Sequence, residues 1–135
     1  MDDKFIIFGS PAIEDAEINE VIDCLKSGWI GTGPKVRRFE KNFLEYKNAK
    51  YAVAVNSCTA ALHLSLLALG IKQGDEVITS SLTFCSTVNT IIHSGATPVL
   101  ADVDKSTMNI DPEEIEKKIT SKTKCIVPVH MAGRP

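Results

Sequence analysis

No basic run longer than the pair Arg37-Arg38 occurs in these 135 residues, and 15 lysines and arginines face 17 aspartates and glutamates, for a net charge of -2. Binding of nucleic acid by phosphate neutralisation needs a cationic face that this composition does not supply. Long apolar runs are missing too: the longest, Ala60 to Ile71, is broken by His63 and Ser65 and is too short to cross a bilayer. Met1 leads into Asp2 and Asp3, not into a basic and then apolar leader, so the cytoplasm is the expected compartment. Close-paired cysteines are absent. Cys24, Cys58, Cys85 and Cys125 stand 34, 27 and 40 positions apart, match no paired metal spacing, and are expected as free thiols in a reducing compartment. His63, His93 and His130 are equally scattered, so a zinc site would require the fold to gather distant residues, and none is expected. Internal repeats and low-complexity segments are lacking as well.

What is present is ordinary globular composition, 44% apolar and 24% charged. A chain of this length can bury about two-thirds of the surface its unfolded form exposes. Ile18, Val21, Ile22 and Leu25 recur at helical spacing and predict a helix from about Glu14 to Ser27, ended by Gly28. The glycines and proline of Trp29 to Pro34 make a structured loop, and Val36, Phe39, Phe43 and Leu44 predict a second amphipathic helix reaching Asn48. Tyr51 to Val55 reads as a buried strand. Thr59 to Leu69 is apolar on nearly every face and is expected to be a helix buried on most sides.

Strands are then predicted at Glu76 to Thr79, Pro98 to Ala101 and Cys125 to Val129, the last short of one ladder donor at Pro128. Between them lie a helix marked by Val88, Ile91 and Ile92 and another that opens with Asp111-Pro112-Glu113-Glu114, a capping carboxylate followed by a first-turn proline. Alternation of this kind predicts an α/β fold, three layers α/β/α around a mostly parallel sheet. His130 to Pro135 is a turn that should feed another element, so the chain is expected to be cut off there.

In open parallel sheets, ligands sit beyond the carboxyl ends of the strands. The best phosphate candidate is Asn56-Ser57-Cys58-Thr59, where small hydroxyl residues and free backbone amides open a helix whose dipole favours an anion. Plain capping by Ser57 or Thr59 explains the same residues. Phe84, just past the second predicted strand, could cover a flat ring or fill the core. His63 reads as a hydrogen-bonded core residue, and Asp102 with Asp104 as solvated turn formers. Gly28 to Gly33 has P-loop glycine spacing, but Pro34 replaces the lysine and no strand precedes it. The third glycine of a dinucleotide fingerprint is missing too.

Taken together, the segments Gly28 to Pro34 with Phe39-Glu40, Ala52 to Leu62, Gly74 to Ile78 with Thr83-Phe84, Gly95 to Val99 with Asp102 to Asp104, and Val129 to Gly133 closely resemble one family. It is the DegT/DnrJ/EryC1/StrS group of aminotransferases, which use pyridoxal 5'-phosphate (PLP) to aminate the keto-sugars of nucleotide sugars. The resemblance runs from about residue 8 to residue 135. It implies that residues 1–135 are the N-terminal part of the PLP-binding large domain of a type I PLP-transferase fold, with later strands and a C-terminal small domain lying beyond.

By this resemblance, Ser57, Cys58 and Thr59 bind the cofactor phosphate through backbone amides and the Thr59 hydroxyl. Phe84 stacks on the pyridine ring, and Thr32 and Gly33 approach the sugar. Cys58 stands where the family often has glycine, and Ser80 where it often has proline. The lysine that carries the cofactor and the acid that keeps its ring protonated fall beyond Pro135, so no catalytic residue is expected within these residues and the segment alone is not expected to transaminate. The resemblance further implies a nucleotide sugar and an amino acid donor as substrates, and a homodimer of the full-length protein. Two other readings are a sugar dehydratase of the same family, with histidine replacing the lysine, and a non-catalytic phosphate-binding remnant. Separated from its usual neighbours in the family's sheet, the Tyr51 to Val55 strand is expected to pair non-natively or through a second copy.

Overall fold

A computed structural model of the chain describes residues 9–135, which divide into two compact units, one ending at Ala54 and one running from Val55 to Pro135. In the first, helix α1 spans Asp15–Ser27 and α2 spans Pro34–Lys47. Gly28 at φ 74° ends α1 in the left-handed conformation, and Asn48 ends α2 the same way. Glu20 of α1 links the two helices. Its carboxylate pairs with Lys35 and, at 2.7 Å, with Arg38, while Lys35 Nζ also donates to the Glu20 carbonyl at 2.8 Å. The two cations hold the Glu20 carboxyl below its usual range, Lys35 more than Arg38.

The second unit is an α/β layer. Helix α3 covers Cys58–Ala68, β1 Glu76–Ser80, α4 Cys85–His93, β2 Thr97–Ala101, α5 Pro112–Lys118 and β3 Thr123–Val127, followed by a 3-10 turn at Met131–Gly133. The three strands form a parallel sheet in the order β2-β1-β3, with a register shift between Glu76 and Val77 against β3. The predicted α/β class and parallel sheet are therefore present. Neighbouring β1 residues point to opposite faces, yet Val77, Ile78, Thr79 and Ser80 are all fully buried, so both faces of the central strand are covered. Val77 packs with Leu66 of α3, Ile91 of α4, Ile71 and Ala96, joined by the half-buried Cys125 and Val127 of β3. Burial pushes the Cys125 thiol up, which disfavours its thiolate.

Three expectations change. Tyr51 to Val55 joins no ladder, and Tyr51 and Val53 are exposed. A strand needs a hydrogen-bonded neighbour as well as a suitable apolar pattern, and no described strand lies alongside. The Ala54 amide instead donates to the Glu40 side chain at 2.8 Å. Helix α3 is not buried on most sides: Leu66 is its one buried residue, and Leu64 and Leu67 are exposed, because the described residues cover a single face of it. β3 ends at Val127, so Pro128 lies outside the ladder and removes no donor from it.

Candidate functional site

Helix α3 returns the chain to the amino end of β1 and α4 leaves from its carboxyl end, so both helices begin at the carboxyl edge of the sheet. The sequence candidates Ser57, Cys58, Thr59 and Phe84 all lie at those two helix starts. Ser57 is the N-cap of α3, and its Oγ accepts the amide proton of Ala60 at 3.1 Å. Its carbonyl accepts from Ala61, closing the first helical bond. The amides of Cys58 and Thr59, ahead of these two, are orphan donors of the first turn, and both residues are exposed. The capping and anion-binding readings of this turn are thus compatible, since they use different amides.

Among the described residues, positive φ outside glycine is confined to Asn48, Met108 and Ala132. Cys58 therefore needs no left-handed backbone, and a side chain in place of glycine costs no strain there.

Phe84 is the N-cap residue of α4 and is 76% exposed, so it is not a core residue. Its side chain gives α4 no capping bond, which leaves first-turn amides at Cys85 and Ser86 open as well. Sequence reasoning valued Phe84 for its ring and missed these amides. The signal was available, because phenylalanine at an N-cap position supplies no oxygen.

In the first unit, Gly33 is buried as the N-cap of α2, and Thr32 beside it is exposed. A cleft of about 510 Å³ lies here, lined by Val21, Leu25, Trp29, Gly33 and Val36 among others, with Glu20 and Lys35 as its charged groups. Gly33 faces this cleft, whereas Thr32 does not line it. A Cβ on Gly33 would stand 2.9 Å from the Trp29 ring, so the glycine is required for this close approach.

The remaining candidates are structural. Asp102 accepts from the Val103 amide and the Ser81 hydroxyl, and Asp104 from the Ser106 hydroxyl and amide and the Thr107 amide. Both shape the turn that leads to the Val103–Ile110 bridge. These bonds, led by that from Ser106, lower the Asp104 carboxyl to about 2. His63 is half-buried and makes an edge contact with His93, in place of the expected core hydrogen bond. Among the described residues, no three histidine, cysteine or carboxylate side chains gather into a metal-binding group. None of the described helices is long and apolar enough to cross a membrane.

The family model of the DegT/DnrJ/EryC1/StrS aminotransferase family matches residues 11–135. The spore coat polysaccharide biosynthesis protein SpsC of Bacillus subtilis is 58% identical over 130 residues, 96% of this chain and 33% of that protein. Spr1654 of Streptococcus pneumoniae, whose name assigns it as a sugar aminotransferase, was solved in PMP and PLP forms. It superposes with a TM-score of 0.90 at 45% identity, over 96% of this chain and 33% of its own. An aminotransferase from Psychrobacter cryohalolentis gives 0.86 at 43% identity, over 93% of this chain and 32% of its own. The chain thus spans about a third of the length of the relatives it matches.

Proposed function

The chain belongs to the DegT/DnrJ/EryC1/StrS aminotransferase family, and on that premise we propose that it forms the phosphate- and ring-binding part of a PLP-dependent enzyme. That enzyme aminates a nucleotide-linked keto-sugar with an amino acid donor. The observation that carries the reading is the pair of orphan amides at Cys58 and Thr59, beside a helix cap that consumes neither. When bound, PLP supplies an electron sink for the substrate carbon that exchanges its amino group.

Each residue of this chain has a definable task. The Cys58 and Thr59 amides and the Thr59 hydroxyl hold a phosphate dianion, and the partial positive charge at the start of the 11-residue helix α3 adds to their attraction. Ser57 keeps that first turn in shape through its bond to Ala60. The exposed Phe84 ring offers an apolar face for a flat heterocycle and shields it from water. Thr32 and Gly33 approach the sugar: Gly33 by leaving room beside Trp29, Thr32 by offering an exposed hydroxyl. The lysine and acid that complete the chemistry are supplied outside these residues. The enzyme works as a homodimer in the cytoplasm.

Full-length protein supplied with PLP, an amino acid and a nucleotide-linked keto-sugar should yield the corresponding amino sugar, read by mass spectrometry. Formation of a dehydrated sugar instead, or no conversion with any donor, would overturn the reading.

A further inference from the structure

His63 and His93, 30 positions apart in sequence, meet where α3 packs on α4, with ring centroids 6.0 Å apart and planes inclined at 67°. Leu66, one turn beyond His63, is buried with Ile91 in the core, so the backbones that carry the two imidazoles are fixed by packing. The hydroxyls around this contact serve the backbone. Ser65 Oγ donates to the Ala61 carbonyl, Thr90 Oγ1 to that of Thr87 and Ser94 Oγ to that of Thr90, and none of these bonds engages an imidazole.

We propose that His63 and His93 form a two-imidazole site for a divalent transition metal such as zinc, which ties α3 to α4. The distances support it. A zinc ion about 2.0–2.1 Å from an imidazole nitrogen lies about 3.2 Å from the ring centroid, so two ligands at a tetrahedral angle place their centroids about 5.2 Å apart. The observed 6.0 Å is within about 1 Å of that value, so chelation requires the two rings to turn from their edge contact and draw together. His93 belongs to the last turn of α4, where the partial negative charge of the helix end favours a bound cation. Two protein ligands leave the remaining tetrahedral positions to water or a small anion, so the ion would be exchangeable and not a closed structural centre. The inference rests on the two rings and is independent of the cofactor assignment.

The test is calorimetric titration of Zn2+ into chelator-stripped full-length protein. Saturable uptake of one equivalent per chain is expected. His63→Gln and His93→Gln should each weaken it by about 10- to 100-fold, at least the effect of losing an outer-shell partner, while His130→Gln leaves it unchanged. If a variant fails to fold, Cu2+ bound to the unaltered protein provides the second readout, since its electron paramagnetic resonance spectrum should show splitting from two imidazole nitrogens. Absence of uptake, uptake indifferent to both substitutions, or splitting from fewer than two nitrogens would overturn the proposal and leave an edge-to-face contact between two rings.

Discussion

The Ser57 hydroxyl accepts the amide proton of Ala60 at 3.1 Å and so caps α3 without using the amides of Cys58 and Thr59. Capping and anion binding are therefore separable by mutation. Ser57→Ala should cost about 1 kcal/mol through loss of the cap. Ser57→Asp retains a good cap and favours the helix dipole, yet sets a negative charge against any phosphate. In the full-length protein, Ser57→Asp should keep its denaturation midpoint while PLP affinity falls steeply. Unchanged affinity would remove this turn from the phosphate site.

Trp29, the one tryptophan of the chain, reports on Gly33. Because a Cβ at residue 33 would stand 2.9 Å from its ring, Gly33→Ala must displace the indole. Trp29 is more than half exposed and can yield, so the expected cost is near the low end for overpacking, about 1 kcal/mol. A changed emission maximum with little loss of stability is the expected result, measured by fluorescence and thermal melting.

Thr79 is fully buried in β1, and its hydroxyl donates to the Val127 carbonyl of β3 at 2.8 Å. Thr79→Val keeps the shape but leaves that carbonyl short of a donor, at a cost of about 1 kcal/mol. Chemical denaturation should register the loss, and amide exchange should quicken in β3 more than in β2, since the bond crosses to β3 alone.

Elements with strong local signals were legible in the sequence: the apolar stripe of α1, the Asp111-Pro112 start of α5, and the glycines and prolines between strands. Those that depend on a partner were not. Tyr51 to Val55 has the composition of a strand, but pairing is a property of two segments, and its Ala54 amide finds Glu40, 14 positions away, instead. The apolar content of α3 predicts burial, whereas exposure depends on what packs against each face. At the site, the sequence placed Ser57, Cys58 and Thr59 at the start of α3, because small hydroxyl residues there cap a helix, whereas it placed Phe84 only just past a strand, since a phenylalanine gives no capping signal for α4. The His63–His93 contact was out of reach, since it arises from how two helices cross.

Asp104 makes the loop after β2 sensitive to acid. Its carboxyl is lowered from 3.8 to about 2, first by the Ser106 hydroxyl and then by the Thr107 amide. Because the folded value lies below the unfolded one, the carboxylate contributes stability that is complete above pH 4 or so and is lost as pH falls through about 2. Solvent screening keeps the contribution modest. Asp104→Asn removes the charge at every pH, so the variant should melt slightly lower at neutral pH and converge on the unaltered protein as the pH approaches 2. Melting curves recorded across that range check the sign: a gap that widened on acidification would show that the Asp104 charge does not stabilise the turn.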